Sequence, residues 1–435
     1  MARRRTPRVA SPGDHSAASR TPPSSETNST SAAQGTASRS RPGATLTTRS
    51  RPPAASTSSS SGGRKSDGRQ RRRPASSRRA GLASSTAPRL TGRSASARTK
   101  GTPGTLCDDR RRIWSRGETM TVPIILDTDP GVDNAVAIML AAASPEVDLL
   151  AITTVFGNVD LETTTANALR LRALAGLGHV PVAAGAARPL VYPQAVRAAQ
   201  WHATDGLGGR AGELPEPEGP VHARGAVALM ADLLRAAPAP VTLVPIGPLT
   251  NIALLLAAHP DVKPRIAQIV AMGGAFSGGN TTESAEFNIH CDPEAARRVL
   301  VEEDVPITLV PLDLTLRCAV DGGWLDALAA AGPRCATLAR VIEHYRAQFG
   351  ASSGRDDVPL HDSLAVLEAA VPGILRPAPL PLEVVCDHGP ARGTVLAAPT
   401  PGVAGRLVDV ALGADLTERD IHAVRAAILD RLRTL

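Results

Sequence analysis

The sequence lacks several features that would point to particular classes of protein. Aromatic residues make up only 2% of its 435 residues, too few for the stacking platforms with which proteins hold single-stranded nucleic acid. It has no run of 18 or more apolar residues, so we expect no membrane-spanning helix. The basic N-terminus is followed by no apolar stretch, and we therefore expect no secretory signal.

Cysteine and glycine patterns exclude further kinds of site. The five cysteines form no CxxC pair and no even-numbered disulfide framework, so we expect reduced thiols in a cytoplasmic protein. Neither a P-loop nor a GxGxxG motif is present, which argues against the common nucleotide-binding loops.

Charge is distributed unevenly along the chain. Residues 1–119 contain 23 Arg and 2 Lys against six acidic residues, a net charge of +19, so the other 316 residues carry −12 of the total of +7. The basic segment is rich in Ser, Arg and Pro and poor in large apolar residues, which predicts a disordered arm. It is either a polyanion-binding arm or the product of a gene start placed too far upstream, since Met120 directly precedes the first predicted strand. The acidic part, residues 120–435, is predicted to be one domain with no nucleic-acid partner.

From residue 122 onward, short apolar runs alternate with helical patterns. This alternation predicts an α/β fold, an open and mostly parallel sheet with helices on both faces. Ligands of such sheets bind at the carboxyl ends of the strands, where the polar residues of this sequence cluster. The predicted strands are VPIILDTD, VDLLAITTVFG, VPVAAGA, PVTLVPIG, IAQIVAMGG and VPITLVPLD, and the first two helices are DNAVAIMLAAAS and TTTANALRLRALAGLG.

Three aspartates follow the first strand within one short turn. Asp127, Asp129 and Asp133 repel one another, and no lysine lies nearby to pair with them. A hard cation with oxygen ligands, Ca²⁺ or Mg²⁺, would relieve that repulsion. Helix capping by Asp133 is the alternative, and it accounts for one aspartate of the three.

The same turn carries a family resemblance. LDTDPGVDNAVAI resembles the opening signature of the nucleoside hydrolases, the inosine/uridine-preferring ribonucleoside N-glycosidases. The resemblance continues to residue 435 through ITTVFGN, HATDGLGG, TLVPIGPLTNIA, VAMGGAFSGGN, AEFNIHCDPEAA and VPLHDSLAV. It implies an open-sheet α/β fold, a bound calcium ion (Ca²⁺) and a homodimer or homotetramer. The implied activity is hydrolysis of the N-glycosidic bond of ribonucleosides to ribose and a free purine or pyrimidine base, as in base salvage.

Three catalytic positions and one supporting position follow from the resemblance. Asp129 matches the aspartate that ligates calcium and takes the proton of the attacking water, and Asp127 matches a supporting carboxylate. Asn158 matches a pocket asparagine near that water, and His361 matches a candidate acid for the leaving base. Breaking a ribosyl C1′–N bond develops positive charge on the sugar, which carboxylate and amide oxygens stabilise.

The resemblance also implies the other ligands of the site. Asp133 matches the residue that binds the ribose 2′-hydroxyl, and Ile246 matches a calcium ligand that uses its backbone carbonyl. The implied substrate-binding residues are Asp133, Asn158, His202, Met272, Asn280, Glu286, Asn288 and Phe349. The implied metal ligands are Asp129, Asn134, Ile246 and Asp362.

Two positions depart from the family pattern. Asn134 stands where the family has a calcium-ligating aspartate, so the site loses one negative charge and a possible bidentate ligand. We therefore expect weaker calcium binding. Phe349 stands where the family has a tyrosine, and the missing hydroxyl leaves the preferred base open.

Two other functions are compatible with parts of the sequence. A weakened metal site would suit a non-catalytic nucleoside-binding protein, although the retained Asp129, Asn158, His361 and Asp362 argue against it. The strand followed by DTD also resembles the haloacid-dehalogenase phosphatases, which use an aspartate nucleophile and Mg²⁺. That chemistry needs a basic residue beside the phosphate, and Lys263 is the only lysine after residue 119.

Overall fold

The computed structural model describes residues 121–194, 196–397 and 406–435. The predicted arm at residues 1–119 and Cys107 lie outside these ranges, so the arm and the domain boundary at Met120 stay predictions. In the described part, Cys291, Cys318, Cys335 and Cys386 are all free thiols.

A nine-stranded sheet forms the centre of the described part of the chain, and two further strands pair as a separate ribbon. The strands are β1 (Val122–Thr128), β2 (Val147–Thr154), β3 (Val182–Ala184), β4 (Val241–Pro245), β5 (Ile266–Met272), β6 (Ile307–Val310), β7 (Val320–Asp321), β8 (Asp357–Val358), β9 (Ala378–Val384), β10 (Val395–Ala397) and β11 (Leu407–Val410).

The strand order places a ligand crevice at the middle of the sheet. The order is β10-β9-β11-β6-β5-β4-β1-β2-β3, and the strands from β11 to β3 run parallel. Strand β9 is antiparallel to both of its neighbours, β10 and β11. The chain moves outward from β1 to β3 and then returns to the other side of β1 with β4. Ligands bind at such a switch point, beyond the carboxyl ends of the strands.

Helices cover both faces of this sheet. They are α1 (Val132–Ala143), α2 (Leu161–Ala175), α3 (Ala199–His202), α4 (Ala226–Ala236), α5 (Thr250–Ala258), α6 (Phe287–Cys291), α7 (Pro293–Arg297), α8 (Leu312–Thr315), α9 (Gly322–Ala329), α10 (Pro333–Ser353), α11 (His361–Ala370) and α12 (Glu418–Leu432). Short 3₁₀ segments lie at Ala211–Glu213 and Pro260–Arg265, and a π-helical turn lies at Arg298–Glu302.

Alternate side chains of β1 enter two different hydrophobic cores. Ile124 and Leu126 belong to the core on one face of the sheet, and Ile125 belongs to the core on the other. Helices α1 and α11 pack against each other in the first core. Every residue of α11 is buried, as are all but one of α1, which explains why the sequence of α1 is apolar nearly all round. Two helices fixed on all sides give the polar residues at their N-termini a rigid support.

The predicted α/β fold is confirmed, and each predicted strand and helix is present within a few residues of its expected bounds. Strands β9, β10 and β11 and the ribbon of β7 and β8 were not predicted. No helix in the described ranges is long and apolar enough to cross a membrane.

Candidate active site

A cavity of about 460 Å³ opens at the carboxyl ends of the central strands. Its size lies in the range that suits a small organic ligand. Twelve of the predicted site residues line it, although the role of each remains a prediction. They are Asp129, Asp133, Asn158, His202, Ile246, Met272, Asn280, Glu286, Asn288, Phe349, His361 and Asp362.

Asp129 lies on the floor of the cavity and is completely buried. Its Oδ2 accepts a hydrogen bond from the backbone N–H of Asn158 at 2.8 Å. Gly157 and Gly247 press against its two carboxylate oxygens so closely that a Cβ atom at either position would collide with them. Burial raises the pKa of Asp129 well above its usual range, and the charge of Asp133 raises it further. The fold therefore holds one carboxylate in a single position at the cavity floor.

Asp127 lies behind Asp129 and does not line the cavity. Its Oδ1 accepts hydrogen bonds from Thr153 Oγ1 at 2.5 Å and Asn251 Nδ2 at 2.8 Å, whereas its buried Oδ2 has no partner in the described residues. Burial raises the pKa of Asp127 to about 7. This arrangement fits the predicted supporting role, since Asp127 fixes the end of β1 rather than the substrate.

Asn134 also lies beneath the cavity lining, where its amide connects several parts of the site. Its Oδ1 accepts from the backbone N–H of Gly131 at 2.8 Å and from Asn158 Nδ2 at 3.1 Å. Its Nδ2 lies 3.3 Å from Asp129 Oδ1 and 3.1 Å from the carbonyl oxygen of Ile246. In this orientation Asn134 presents N–H groups to two predicted metal ligands and turns its oxygen away from them.

Four carboxylates meet at the cavity, and none of them pairs with a lysine or arginine of the described residues. The groups that raise the pKa values of Asp129, Glu286 and Asp362, beyond burial, are the neighbouring carboxylates, and in the described ranges no lysine or arginine is among the groups that shift them. Burial also raises the pKa of Asp133 to about 6 and that of Glu286 to about 7. Asp133 and Asp362 each occupy the first turn of a helix, α1 and α11, whose positive end offsets part of the repulsion.

The donor set fits a hard cation in part. Among the described residues, no three Asp, Glu, His or Cys side chains converge closely enough to hold a metal by themselves. Asp129 and Asp362 supply two carboxylates that line one cavity, and the carbonyl of Ile246 supplies a further oxygen. The excess negative charge and the oxygen donors suit calcium, whereas the N–H groups of Asn134 do not.

The predicted ribose side of the cavity is built on the start of α6. Glu286 caps this helix: its Oε1 accepts from the N–H of Asn288, and its Oε2 accepts from the N–H groups of Ile289 and Gly274, at 2.9 to 3.1 Å. Asn288 Nδ2 donates to the carbonyl oxygen of Met272 at 3.2 Å, which ties the helix to the end of β5. These polar groups are therefore held by backbone contacts before any ligand enters.

His202 presents an N–H group on the opposite side. Its Nδ1 accepts a hydrogen bond from the backbone N–H of Val132 at 3.1 Å, so Nδ1 carries no proton. Burial, together with the neighbouring imidazoles of His361 and His344, lowers the pKa of His202 to about 3. The neutral ring must therefore carry its proton on Nε2.

His361 begins α11 and is buried beside Thr315, the last residue of α8. His361 Nδ1 lies 2.7 Å from Thr315 Oγ1, and burial lowers the pKa of His361 to about 4. Its Nε2 has no hydrogen-bond partner in the described part of the chain, and the residue lines the cavity. This second imidazole is neutral and available to a ligand through Nε2.

Tyr345 and Trp201 also line the cavity, and sequence reasoning missed both. Tyr345 is one helical turn before Phe349 on α10, so the spacing of four would have placed both side chains on one face. The Tyr345 ring lies 5.4 Å from the ring of His202 and meets Trp201 edge to face at 6.3 Å. The guanidinium of Arg355 lies 5.9 Å from the Phe349 ring. An aromatic wall thus faces the carboxylate floor.

Comparison with known proteins identifies relatives of this arrangement. A family model described as inosine-uridine preferring nucleoside hydrolase matches residues 124–421. The pyrimidine-specific ribonucleoside hydrolase RihA of Salmonella arizonae is 41% identical over 249 residues, which are 57% of this chain and 79% of that protein. RihA of Citrobacter koseri is 40% identical over 249 residues, with 57% and 78% covered.

The solved structures that resemble this fold are also nucleoside hydrolases. The plant nucleoside hydrolase PpNRh1 superposes with a TM-score of 0.66 at 30% identity, over 72% of this chain and 99% of its own. The purine-preferring ribonucleoside hydrolase from Gardnerella vaginalis superposes with a TM-score of 0.64 at 30% identity, over 72% of this chain and 100% of its own.

Proposed function

This chain belongs to the family of inosine-uridine preferring nucleoside hydrolases, and from that premise we propose that it is a calcium-dependent enzyme releasing ribose and a free base. Family membership makes it a ribonucleoside hydrolase. We propose in addition which metal it uses, which residues act in the reaction and which products it releases. Family membership argues against the phosphatase alternative. Lys263, which that alternative needed, instead forms ion pairs with Glu303 at 2.6 Å and Asp304 at 3.0 Å.

The position of Asp129 is the observation that carries the proposal. A buried carboxylate, locked between two glycines at the floor of a cavity of ligand size, can take a proton from a water molecule without first reorganising. Asn158 holds one oxygen of Asp129 through its N–H and lines the cavity beside it. We assign Asp129 as the general base and Asn158 as its partner in placing the water.

The acidic floor also suits the charge that develops on the sugar. An oxocarbenium-like centre is stabilised by oxygens that are already in position. Asp133 would bind the ribose 2′-hydroxyl, with Asn280, Glu286, Asn288 and Met272 around the rest of the ring. Because backbone contacts hold Glu286 and Asn288 beforehand, binding costs little further ordering.

Calcium is the metal that the donor set supports. Asp129, Asp362 and the carbonyl of Ile246 would hold it, and the carboxylates have no other counterion in the described ranges. Bound calcium would lower the pKa of a water molecule and fix its orientation toward the sugar. The amide of Asn134 limits how tightly the ion is held.

The aromatic side of the cavity would receive the base. His202, His361 and Tyr345 each have a polar group that could form a hydrogen bond with the departing base. Phe349 and Trp201 line the same part of the cavity with apolar rings. His361 is the candidate proton donor for the leaving group, and because its ring is neutral it would assist the departing base through a hydrogen bond from its N–H. The names of the relatives include both pyrimidine-specific and purine-preferring enzymes, so we propose activity on both classes. We also propose a homodimer or homotetramer that acts in base salvage in the cytoplasm.

A reducing-sugar assay tests this proposal. Purified protein is stripped with a chelator and assayed on inosine, uridine, cytidine and adenosine, with and without added calcium. We expect turnover only with calcium, and Asp129→Ala should abolish it while retaining the fold by circular dichroism. Asp232→Asn, a substitution of a half-buried aspartate that pairs with Arg224 outside the cavity, is the control. Turnover without calcium would contradict the proposed role of the metal. An active Asp129→Ala variant would contradict the proposed role of Asp129 as the general base.

A further inference from the structure

We propose that Thr315 is a positioning residue for this reaction, because its hydroxyl holds His361 in the tautomer that presents an N–H to the leaving base. The inference rests on the proposed function, in which His361 faces that base. Thr315 does not line the cavity and would act only through His361.

The contact between the two residues is short and enclosed. Thr315 is completely buried, His361 is nearly so, and 2.7 Å separates Thr315 Oγ1 from His361 Nδ1. No other hydrogen-bond partner of the His361 ring is present in the described part of the chain. The pair joins the end of α8, which follows β6, to the start of α11, so the bond connects two elements that are 46 residues apart in sequence.

The surroundings of Thr315 decide which atom donates. Its only other acceptor among the described residues is the carbonyl oxygen of Leu312, at 3.4 Å, and that oxygen already accepts from the backbone N–H of Leu316 at 3.0 Å. A separation of 2.7 Å is usual for an O–H donor and short for an N–H donor. The hydroxyl of Thr315 therefore donates to His361 Nδ1.

A histidine nitrogen that accepts a hydrogen bond carries no proton, so the neutral ring of His361 has its proton on Nε2. Because Nδ1 is bonded to Thr315, Nε2 is the ring nitrogen left for the cavity that His361 lines. In that cavity a base must leave with added electron density on a nitrogen or a carbonyl oxygen. Without the Thr315 hydroxyl the proton would divide between the two ring nitrogens, and the ring would lose the one anchor that the described residues give it. The ring of His202 is fixed in the same tautomer, but by the backbone N–H of Val132, which only a proline at that position would remove.

Thr315→Val removes the hydroxyl at nearly constant volume, and Thr315→Ser keeps it. We expect kcat for inosine and uridine to fall at least about tenfold in Thr315→Val with little change in KM, because the donor acts on the leaving group. Turnover of p-nitrophenyl riboside, whose leaving group needs no proton, should change by less than about threefold. Thr315→Ser should restore the nucleoside activity. Thr164→Val, which removes a buried hydroxyl bonded to the carbonyl of Val155 away from the cavity, is the matched control.

The tautomer can be observed directly by ¹⁵N NMR of histidine-labelled protein, with the His361 signals assigned by their loss in His361→Gln. Wild type and Thr315→Ser should show a protonated Nε2, and Thr315→Val should show a mixture of tautomers. An unchanged spectrum in Thr315→Val, or equal activity losses on both substrate classes, would overturn the inference. His361→Ala separates this outcome from failure of the proposed function. If His361→Ala spares p-nitrophenyl riboside while Thr315→Val has no effect, only the role of Thr315 is wrong. If His361→Ala harms both substrates equally, the leaving-group role itself is wrong.

Discussion

Asn134→Asp should tighten calcium binding by more than a simple gain of charge would suggest. In the wild-type arrangement, Nδ2 of Asn134 points at Asp129 Oδ1 and at the carbonyl of Ile246, where a cation would need oxygen. Turning the amide over would bring its oxygen to the cation. The same turn would set the NH₂ group against the N–H of Gly131 and against Asn158 Nδ2, and two hydrogen bonds would be lost.

The size of this penalty follows from those two bonds. Each is worth about 0.5–1.5 kcal/mol, so turning the amide costs about 1–3 kcal/mol. An aspartate avoids the cost, since one oxygen can accept from Gly131 and Asn158 while the other faces the cation, and it also adds a negative charge. We therefore expect the Kd for calcium to fall by at least about tenfold, and by up to about a hundredfold, which corresponds to roughly 1.4–2.8 kcal/mol.

Without calcium, the Asn134→Asp substitution should lower the stability of the protein. The Asn134→Asp variant would place a further carboxylate beside Asp129 and would lose the N–H donors that now reach Asp129 and Ile246. Without calcium its Tm should therefore lie a few degrees below that of wild type, and with calcium the order should reverse.

Isothermal titration of chelator-stripped protein gives the two affinities, and thermal melts with and without calcium give the stabilities. Asn134→Gln, which keeps a neutral amide, is the control for a change of side chain at this position. Equal calcium affinities in wild type and Asn134→Asp would refute the reasoning, because they would mean that this side chain does not face the metal.

Three further predictions address other parts of the molecule. A protein that begins at Met120 should match the full chain in activity, because every proposed site residue follows that position; a tenfold loss, about 1.4 kcal/mol, would make the arm part of the enzyme. His361→Ala should reduce turnover of inosine and uridine by about a hundredfold and spare p-nitrophenyl riboside, as expected for loss of a leaving-group acid, whereas equal losses would contradict that role. Burial raises the pKa of Glu368, which accepts hydrogen bonds from Gly373 and Leu375, to about 7 from 4.5. Between pH 4.5 and 7 the folded protein therefore keeps this proton, whereas the unfolded chain loses it. The free energy of unfolding of wild type, relative to that of Glu368→Gln, should fall by on the order of 3 kcal/mol as pH rises through that window. The same pH dependence in wild type and Glu368→Gln would contradict this.

Local sequence patterns predicted the parts of the site that are local in space. Asp127, Asp129 and Asp133 lie within seven residues, with Asp127 in the last part of β1 and Asp133 at the start of α1, so the turn at the end of a parallel strand was enough to place them together. The parallel strands were likewise visible as short apolar runs with turns between them. Strands β9 to β11 were not predicted, because several residues of β9 and β11 are exposed and prolines interrupt the apolar pattern of β9.

Features that depend on distant partners could not be predicted. The orientation of the Asn134 amide is set in part by the carbonyl of Ile246, which is 112 residues away, and no residue type encodes that contact. The hydroxyl of Thr315 reaches His361 across 46 residues. Tyr345 differs from these, because its spacing of four from Phe349 on one helix is visible in the sequence and places both side chains on one face.

The central claim is that water cleaves the bond between ribose and base. Uridine and inosine are incubated in ¹⁸O-labelled water with calcium and inorganic phosphate, and the products are identified by chromatography and mass spectrometry. The account predicts free ribose that carries one ¹⁸O atom, together with unlabelled uracil or hypoxanthine, and no product from Asp129→Ala. Formation of ribose 1-phosphate, or intact nucleosides after prolonged incubation of the wild-type protein, would contradict it.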